Sequence, residues 1–355
     1  MAPTMMKAAI LKELGQPLVI EQVPVPKPEG RHVLVRVQAA SLCHSDLTII
    51  QGQVGVGAKP PLILGHEAVV VIEELGPEAS KYGLKVGDRI GGPLWQDWCF
   101  DCYECKSIGT EFCSKITMRG VTSQGFFAEY TTMDAASAVV IPHNSPATAA
   151  QLSPIFCAGI TVWDALSRAE LKPGETVAIV GVGGLGEIAT KYAQAFGAKV
   201  IAIDVHDGQL ESVKAGGSAD EVLNTRGLEP MELIGRIREL NNGRAVDAAI
   251  VTSGSNAAYS TGMSILRPLG RLIAVGIPPE EVPFNAAVVA IRALKIIGAK
   301  VPGQTGTAAC VEFCQRKGIY PKVNPRKFQL EDINEMIDLM SAGKVEDGRM
   351  VIQFF

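Results

Sequence analysis

The chain has 355 residues, 47% of them hydrophobic and 20% charged, with a formal net charge of −4. That length admits roughly two domains with a sizeable core, and the composition excludes a disordered or low-complexity protein. The slightly acidic balance offers no electrostatic footprint for nucleic acid or an anionic membrane, and no apolar run is long enough to span a bilayer. Lys7, Lys12 and Glu13 interrupt the first fifteen positions, so the apolar stretch of a signal peptide is missing. A soluble, cytoplasmic protein acting on a small molecule is the expectation.

In chain order, strands are predicted over 6–10, 18–23, 33–40 and 69–75, separated by Pro- and Gly-rich joints such as 24–28. This first part, to about 155, reads as mainly β with long loops. From 176 the texture alternates: strands over 176–180, 199–203, 221–223, 246–252 and 271–275, with helices over 185–196, 230–240 and 257–266. Strands alternating with helices imply a parallel, doubly wound sheet. Two helical segments, 306–317 and 331–341, and a strand over 349–354 close the chain.

Cys43-His44-Ser45-Asp46 follows the third strand and sets a thiol, an imidazole, a hydroxyl and a carboxylate side by side. A thiolate ligates zinc, a hydroxyl passes a proton, and a carboxylate orients a ligating histidine. Gly65-His66-Glu67 adds a second candidate ligand group, and Cys157 a third. One histidine and two cysteines leave a fourth position for water or a substrate oxygen.

Eight cysteines in a chain expected to be intracellular call for a metal before disulfides. Cys99, Cys102, Cys105 and Cys113 supply four thiolates in one loop, the donor set of a closed, structural zinc site. An iron–sulfur cluster is the rival. Its usual third gap is three residues before Cys-Pro, whereas seven residues separate Cys105 from Cys113, and Ser114 follows. Cys310 and Cys314, one helical turn apart, read as small core residues.

Gly181-Val182-Gly183-Gly184-Leu185-Gly186 fits G-x-G-x-x-G after a strand and at the opening of a helix. The second strand then ends at Asp204, 18 residues after Gly186, where a carboxylate accepts hydrogen bonds from the adenosine ribose and repels a 2′-phosphate. Positions 205–209 hold no Arg or Lys, so NAD is favoured over NADP.

These motifs together resemble the zinc-dependent alcohol dehydrogenases of the medium-chain dehydrogenase/reductase superfamily, closest to the yeast-type branch. The resemblance runs nearly end to end, through Pro61–Glu67, the four-cysteine loop, Cys157-Ala158-Gly159-Ile160-Thr161 and Gly348-Arg349. It implies a mainly β, GroES-like catalytic domain made of 1–157 and 296–355, with an NAD-binding Rossmann domain over 158–295 inserted between them. It also implies two zinc ions: a catalytic one on Cys43, His66 and Cys157, with Glu67 as alternative ligand, and a structural one on the four-cysteine loop. Asp46 would hold His66, and Ser45 would take the alcohol proton. His44 would contact the cofactor pyrophosphate, Arg349 would lie near Glu67 and the cofactor phosphates, and Leu185, Gln209, Val275 and Ile277 would line the cofactor site.

Five positions depart from the family pattern. Thr48 stands where a histidine often ends the proton relay, Val70 where a second glycine is usual, and Gln209 where a basic residue often meets the ribose. Val54 and Ile277 replace the tryptophan and methionine of ethanol-preferring enzymes, which suggests a roomier pocket for medium-chain or aromatic primary, or secondary, alcohols. A zinc polyol dehydrogenase is an alternative that Cys157 argues against, and a non-catalytic binding relative is another that the intact ligand set argues against. The resemblance suggests a homotetramer.

Overall fold

The computed structural model describes residues 2–53 and 57–354, so Val54 lies outside the described residues. The chain divides into two compact units, Met1–Ile160 with Val301–Phe355, and Thr161–Lys300.

The first unit is built around the strand His32–Ser41, in which Val33, Val35 and Val37 are fully buried. β-branched side chains suit such a pleated, packed surface. The strand pairs antiparallel with Glu67–Leu75 along its length, with Tyr130–Asp134 over its first half and with Val351–Gln353 over its last three residues. Arg89–Gly91 and Val139–Val140 extend the sheet. A smaller three-stranded sheet joins Val19–Pro24, Met5–Leu11 and Leu62–Ile63. Val70, at a position where a glycine was the usual expectation, is fully buried and faces Val37 and Ile90 in register. Its side chain therefore fills core rather than leaving a gap.

The second unit is a six-stranded parallel sheet. Its spatial order is Glu221–Asn224, Lys199–Asp204, Thr176–Val180, Val246–Val251, Leu266–Ala274, Lys295–Gly298. Counted along the chain this is 3-2-1-4-5-6, the doubly wound Rossmann order, with its switch point between the first and fourth strands. All five residues of Thr176–Val180 are buried, because helices cover both faces of a parallel sheet. Burial of each valine or isoleucine there contributes about 1.5–3 kcal/mol.

Several elements differ from the predicted ones. His44–Ile50 is a helix, with Cys43 at its N-cap and Asp46 accepting the Cys43 backbone N–H at 3.0 Å. Its β-branched content hides that helix, and the cap reveals it. The strand predicted over 271–275 starts earlier, at Leu266, and runs to Ala274 through Pro268. Helices Ala158–Ala169 and Ala286–Ile291 and the strand Lys295–Gly298 were not predicted at all. Cys310 and Cys314 sit fully buried on the helix Gln304–Lys317.

Candidate functional site

In the first unit, register decides which side chains meet. Ser41 ends its strand directly opposite Glu67, which begins the neighbouring one. Cys43, two residues beyond, and His66, one residue before, therefore lie at the same end of the ladder. Cys157 arrives from elsewhere, just past the short 3-10 helix Ser153–Phe156. One ligand atom each from Cys43, His66, Glu67 and Cys157 all lie within 4.8 Å of one another.

Buried groups at this centre hold one another's charge. Asp46, fully buried, accepts from Cys43 N–H at 3.0 Å and from Gly65 N–H at 3.3 Å, and its Oδ1 lies 3.2 Å from His66 Nδ1. That contact engages Nδ1 and leaves Nε2 free to act as a ligand. Burial works against a charged His66, but Asp46 and Cys43 outweigh it and raise its pKa well above the usual histidine value. A hydrogen bond from Cys157 lowers Cys43 well below the usual thiol range, against the cost of burial, and His66 helps. The same bond pushes Cys157 well above it. Burial moves Glu67 up to about 7 although Arg349 opposes this.

The donor set suits zinc. Two cysteines and one histidine offer soft and borderline ligands with a position left over. Glu67 Oε1, shut off from solvent, has no hydrogen-bond partner among the described residues. A buried carboxylate oxygen rarely lacks a donor, and a cation accounts for one that does.

The ligand sulfurs of Cys99, Cys102, Cys105 and Cys113 also lie within 4.8 Å of one another. Backbone N–H groups point at them: Cys99 N to Cys113 Sγ at 3.4 Å, Cys102 N to Cys99 Sγ at 3.3 Å, and Lys115 N to Cys113 Sγ at 3.4 Å. Backbone N–H groups, that of Asp101 foremost, lower Cys99 to about 6. Cys105 goes up to about 12, through desolvation and then its neighbouring sulfurs. Four sulfurs sharing one small volume cannot all be thiolates without a cation between them. That is the chemistry of a closed metal site.

In the second unit the three fingerprint glycines have separable reasons. Gly181 has φ +90°, and a Cβ there would sit 2.7 Å from Ser253 Cβ. A Cβ on Gly186 would sit 1.9 Å from the Gly181 carbonyl oxygen, so the third glycine allows helix and strand to meet. A Cβ on Gly183 would meet nothing within 4 Å. Gly183 is the N-cap of the helix Gly184–Ala195 and makes no side-chain cap, so open space lies over a helix N-terminus with free N–H groups. That cradle fits a pyrophosphate. Asp204 Oδ2 accepts the Val182 N–H at 2.7 Å, and Oδ1 accepts the Val205 and His206 N–H groups at 2.7 and 3.0 Å.

The other predicted residues are placed as follows. Ser45 Oγ lies 3.7 Å from Cys43 Sγ, and Thr48 Oγ1 donates to the Ser45 carbonyl at 2.8 Å. His44 and Ser45 are exposed on the first turn of their helix. Arg349 is brought to the metal-ligand cluster itself, donating from Nη2 to Glu67 Oε2. Leu185 and Gln209 are partly exposed on the helices Gly184–Ala195 and Asp207–Ala215. Val275 is partly buried just after the strand Leu266–Ala274, and Ile277 is 89% exposed. Two residues escaped the sequence reading. Ser41 donates its hydroxyl to Glu67 Oε2. Arg226, in the turn after the strand Glu221–Asn224, donates from Nε to the Val205 carbonyl at 3.0 Å. A scan of 205–209 alone therefore misses a cation that contacts the segment just after Asp204.

Two family descriptions match the chain: the alcohol dehydrogenase GroES-like domain over residues 29–143, and the zinc-binding dehydrogenase over residues 184–316. An alcohol dehydrogenase of Geobacillus stearothermophilus is 38% identical over 348 residues, covering 98% of this chain and 99% of its own. An NAD-dependent alcohol dehydrogenase of Sulfurisphaera tokodaii is 31% identical over 362 residues, with the same coverage of 98% and 99%. The crystal structure of the alcohol dehydrogenase from the archaeon Aeropyrum pernix has a TM-score of 0.88 at 32% identity, covering 98% of this chain and 100% of that one.

Proposed function

The chain belongs to the zinc-binding alcohol dehydrogenase family, and we propose that it runs NAD-dependent alcohol oxidoreduction at Cys43, His66 and Cys157, on alcohols larger than ethanol. The reaction class, the use of NAD and the need for zinc come with the family. The residue assignments, a count of two zinc ions and the substrate size are the present reading. The observation that carries it is the cluster of buried Cys43, His66 and Glu67 with partly buried Cys157, whose ligand atoms lie within 4.8 Å of one another.

When bound, zinc supplies Lewis-acid polarisation of the substrate oxygen and the nicotinamide supplies hydride exchange. Cys43, His66 and Cys157 hold the metal, and Asp46 fixes the His66 ring so that one nitrogen faces the cluster. Ser45, exposed beside Cys43, takes the hydroxyl proton of the alcohol during oxidation and returns it during reduction. Thr48 is tied to the Ser45 carbonyl and has no group that titrates near neutral pH, so Ser45 passes its proton to water. Gly183 and Gly184 receive the pyrophosphate at the open helix N-terminus, and Asp204 takes the ribose hydroxyls. Cys99, Cys102, Cys105 and Cys113 hold the second zinc, which has no open position and is structural.

A homo-oligomer, a tetramer by resemblance, is supported by the second unit's own edge. Lys295–Gly298 ends the sheet with Ile296 40% exposed, and no residue of the apolar helix Ala286–Ile291 is buried. Exposed strand edges and apolar faces of this kind are covered by a further copy in many proteins. No single helix among the described residues is long and apolar enough to cross a membrane.

The test is a panel of primary alcohols from ethanol to hexanol and benzyl alcohol, followed by NADH absorbance. Each additional buried methylene contributes about 0.8 kcal/mol, so kcat/KM should rise by roughly one to two orders of magnitude across two or three of them. Val54→Trp should cancel most of that rise. An enzyme that prefers ethanol, with an order unchanged by Val54→Trp, would remove the substrate assignment.

A further inference from the structure

Ser41 is fully buried at the end of the strand His32–Ser41, between the buried apolar residues Ala40 and Leu42. It is flanked on both sides in register: Glu67 stands opposite on one neighbouring strand and Val351 on the other. Arg349 lies two positions before Val351, close to the same face of the ladder. Three strands therefore bring a hydroxyl, a carboxylate and a guanidinium together. Ser41 Oγ and Arg349 Nη2 both donate to Glu67 Oε2, while Oε1 has no partner among the described residues. The carboxylate is held asymmetrically, with two donors on one oxygen and none on the other.

An alanine would fill the space at position 41 as Ala39 and Ala40 fill theirs. A buried hydroxyl is retained at a cost unless its hydrogen bond has a use, and here the acceptor is the residue beside the ligand cluster. We propose that Ser41 is a positioning residue for Glu67: together with Arg349 it restrains Oε2, so that Glu67 reaches the catalytic metal only through Oε1. Ser41 thereby sets how often the carboxylate competes with the alcohol for the open position. The inference rests on the assignment of the catalytic metal to Cys43, His66 and Cys157.

The test loads cobalt into the catalytic site and reads its visible absorption, in which thiolate and d–d bands report ligand number. Ser41→Ala should shift the spectrum toward an added oxygen ligand and raise alcohol KM roughly threefold to tenfold, with a smaller change in kcat. Ser41→Thr, which keeps the hydroxyl, should restore both. In a Glu67→Gln background, Ser41→Ala should add nothing further. A wild-type spectrum and KM in Ser41→Ala, or the same shift in the Glu67→Gln background, would overturn the proposal. A wild-type protein without a cobalt–thiolate band would overturn the metal assignment on which it stands. Should the alanine variant not fold, Ser41→Cys carries the same comparison, since it keeps the side-chain volume and replaces the hydroxyl by a much weaker donor.

Discussion

A single methyl group added at Gly183 or at Gly186 should have opposite consequences. At Gly186 the new Cβ would press on the Gly181 carbonyl oxygen at 1.9 Å, so Gly186→Ala should lower stability by about 1–3 kcal/mol or more. At Gly183 the Cβ points into open space, so Gly183→Ala should leave thermal unfolding nearly unchanged yet weaken NADH binding about tenfold or more, by a steric clash with the pyrophosphate. Thermal melts and a fluorescence titration with NADH check the pair. Equal effects on binding and melting would mean that the glycines act only through the fold. At this scale residue type and spacing carried the reading: thiols, an imidazole and a glycine fingerprint announce their chemistry in one dimension. Ser41 and Arg226 were not legible because a serine and an arginine are unremarkable by type. Each acquires its contact from a residue distant in sequence, Glu67 in one case and the Val205 carbonyl, just past Lys199–Asp204, in the other.

Among the elements, the four-cysteine lobe is tied to the sheet through Asp97, which follows the short strand Trp95–Gln96. His32 Nε2 lies 2.7 Å from Asp97 Oδ1, and Thr117 donates to Oδ2. Burial would raise the Asp97 pKa, but these hydrogen bonds outweigh it and hold it below the ordinary aspartate value of 3.8. A carboxylate with a depressed folded-state pKa stabilises fully above its unfolded value, and that contribution disappears as pH falls through the folded one. Asp97→Asn should therefore cost about 1–2 kcal/mol at neutral pH, and the gap from wild type should close below about pH 3.8. Melting temperatures of both proteins across pH check this; a gap that widens on acidification would contradict it. Long periodic elements such as Pro230–Leu240 and Thr176–Val180 were legible because burial sets their pattern. Ala286–Ile291 and Lys295–Gly298 were not, since six and four residues, mostly exposed, carry no period to read.

At the scale of the whole molecule, the two compact units divide the labour: both ligand clusters lie in Met1–Ile160, and the glycine cradle lies in Thr161–Lys300. The first unit needs both chain ends, because Val351–Gln353 completes its sheet and Arg349 reaches Glu67. That dependence was legible only through resemblance, since nothing in residues 349–354 alone names a strand partner. The central claim is that one chain holds two zinc sites, one open at Cys43, His66 and Cys157 and one closed by four cysteines. Zinc per chain, counted by elemental analysis in wild type, Cys43→Ser and Cys102→Ser, tests it most directly. About two zinc ions are expected in wild type and about one in Cys43→Ser, the latter with its melting temperature and NADH binding largely kept. Cys102→Ser should lose the other ion and much of its thermal stability. A single zinc in wild type, or equal losses of metal and stability in both variants, would contradict the account.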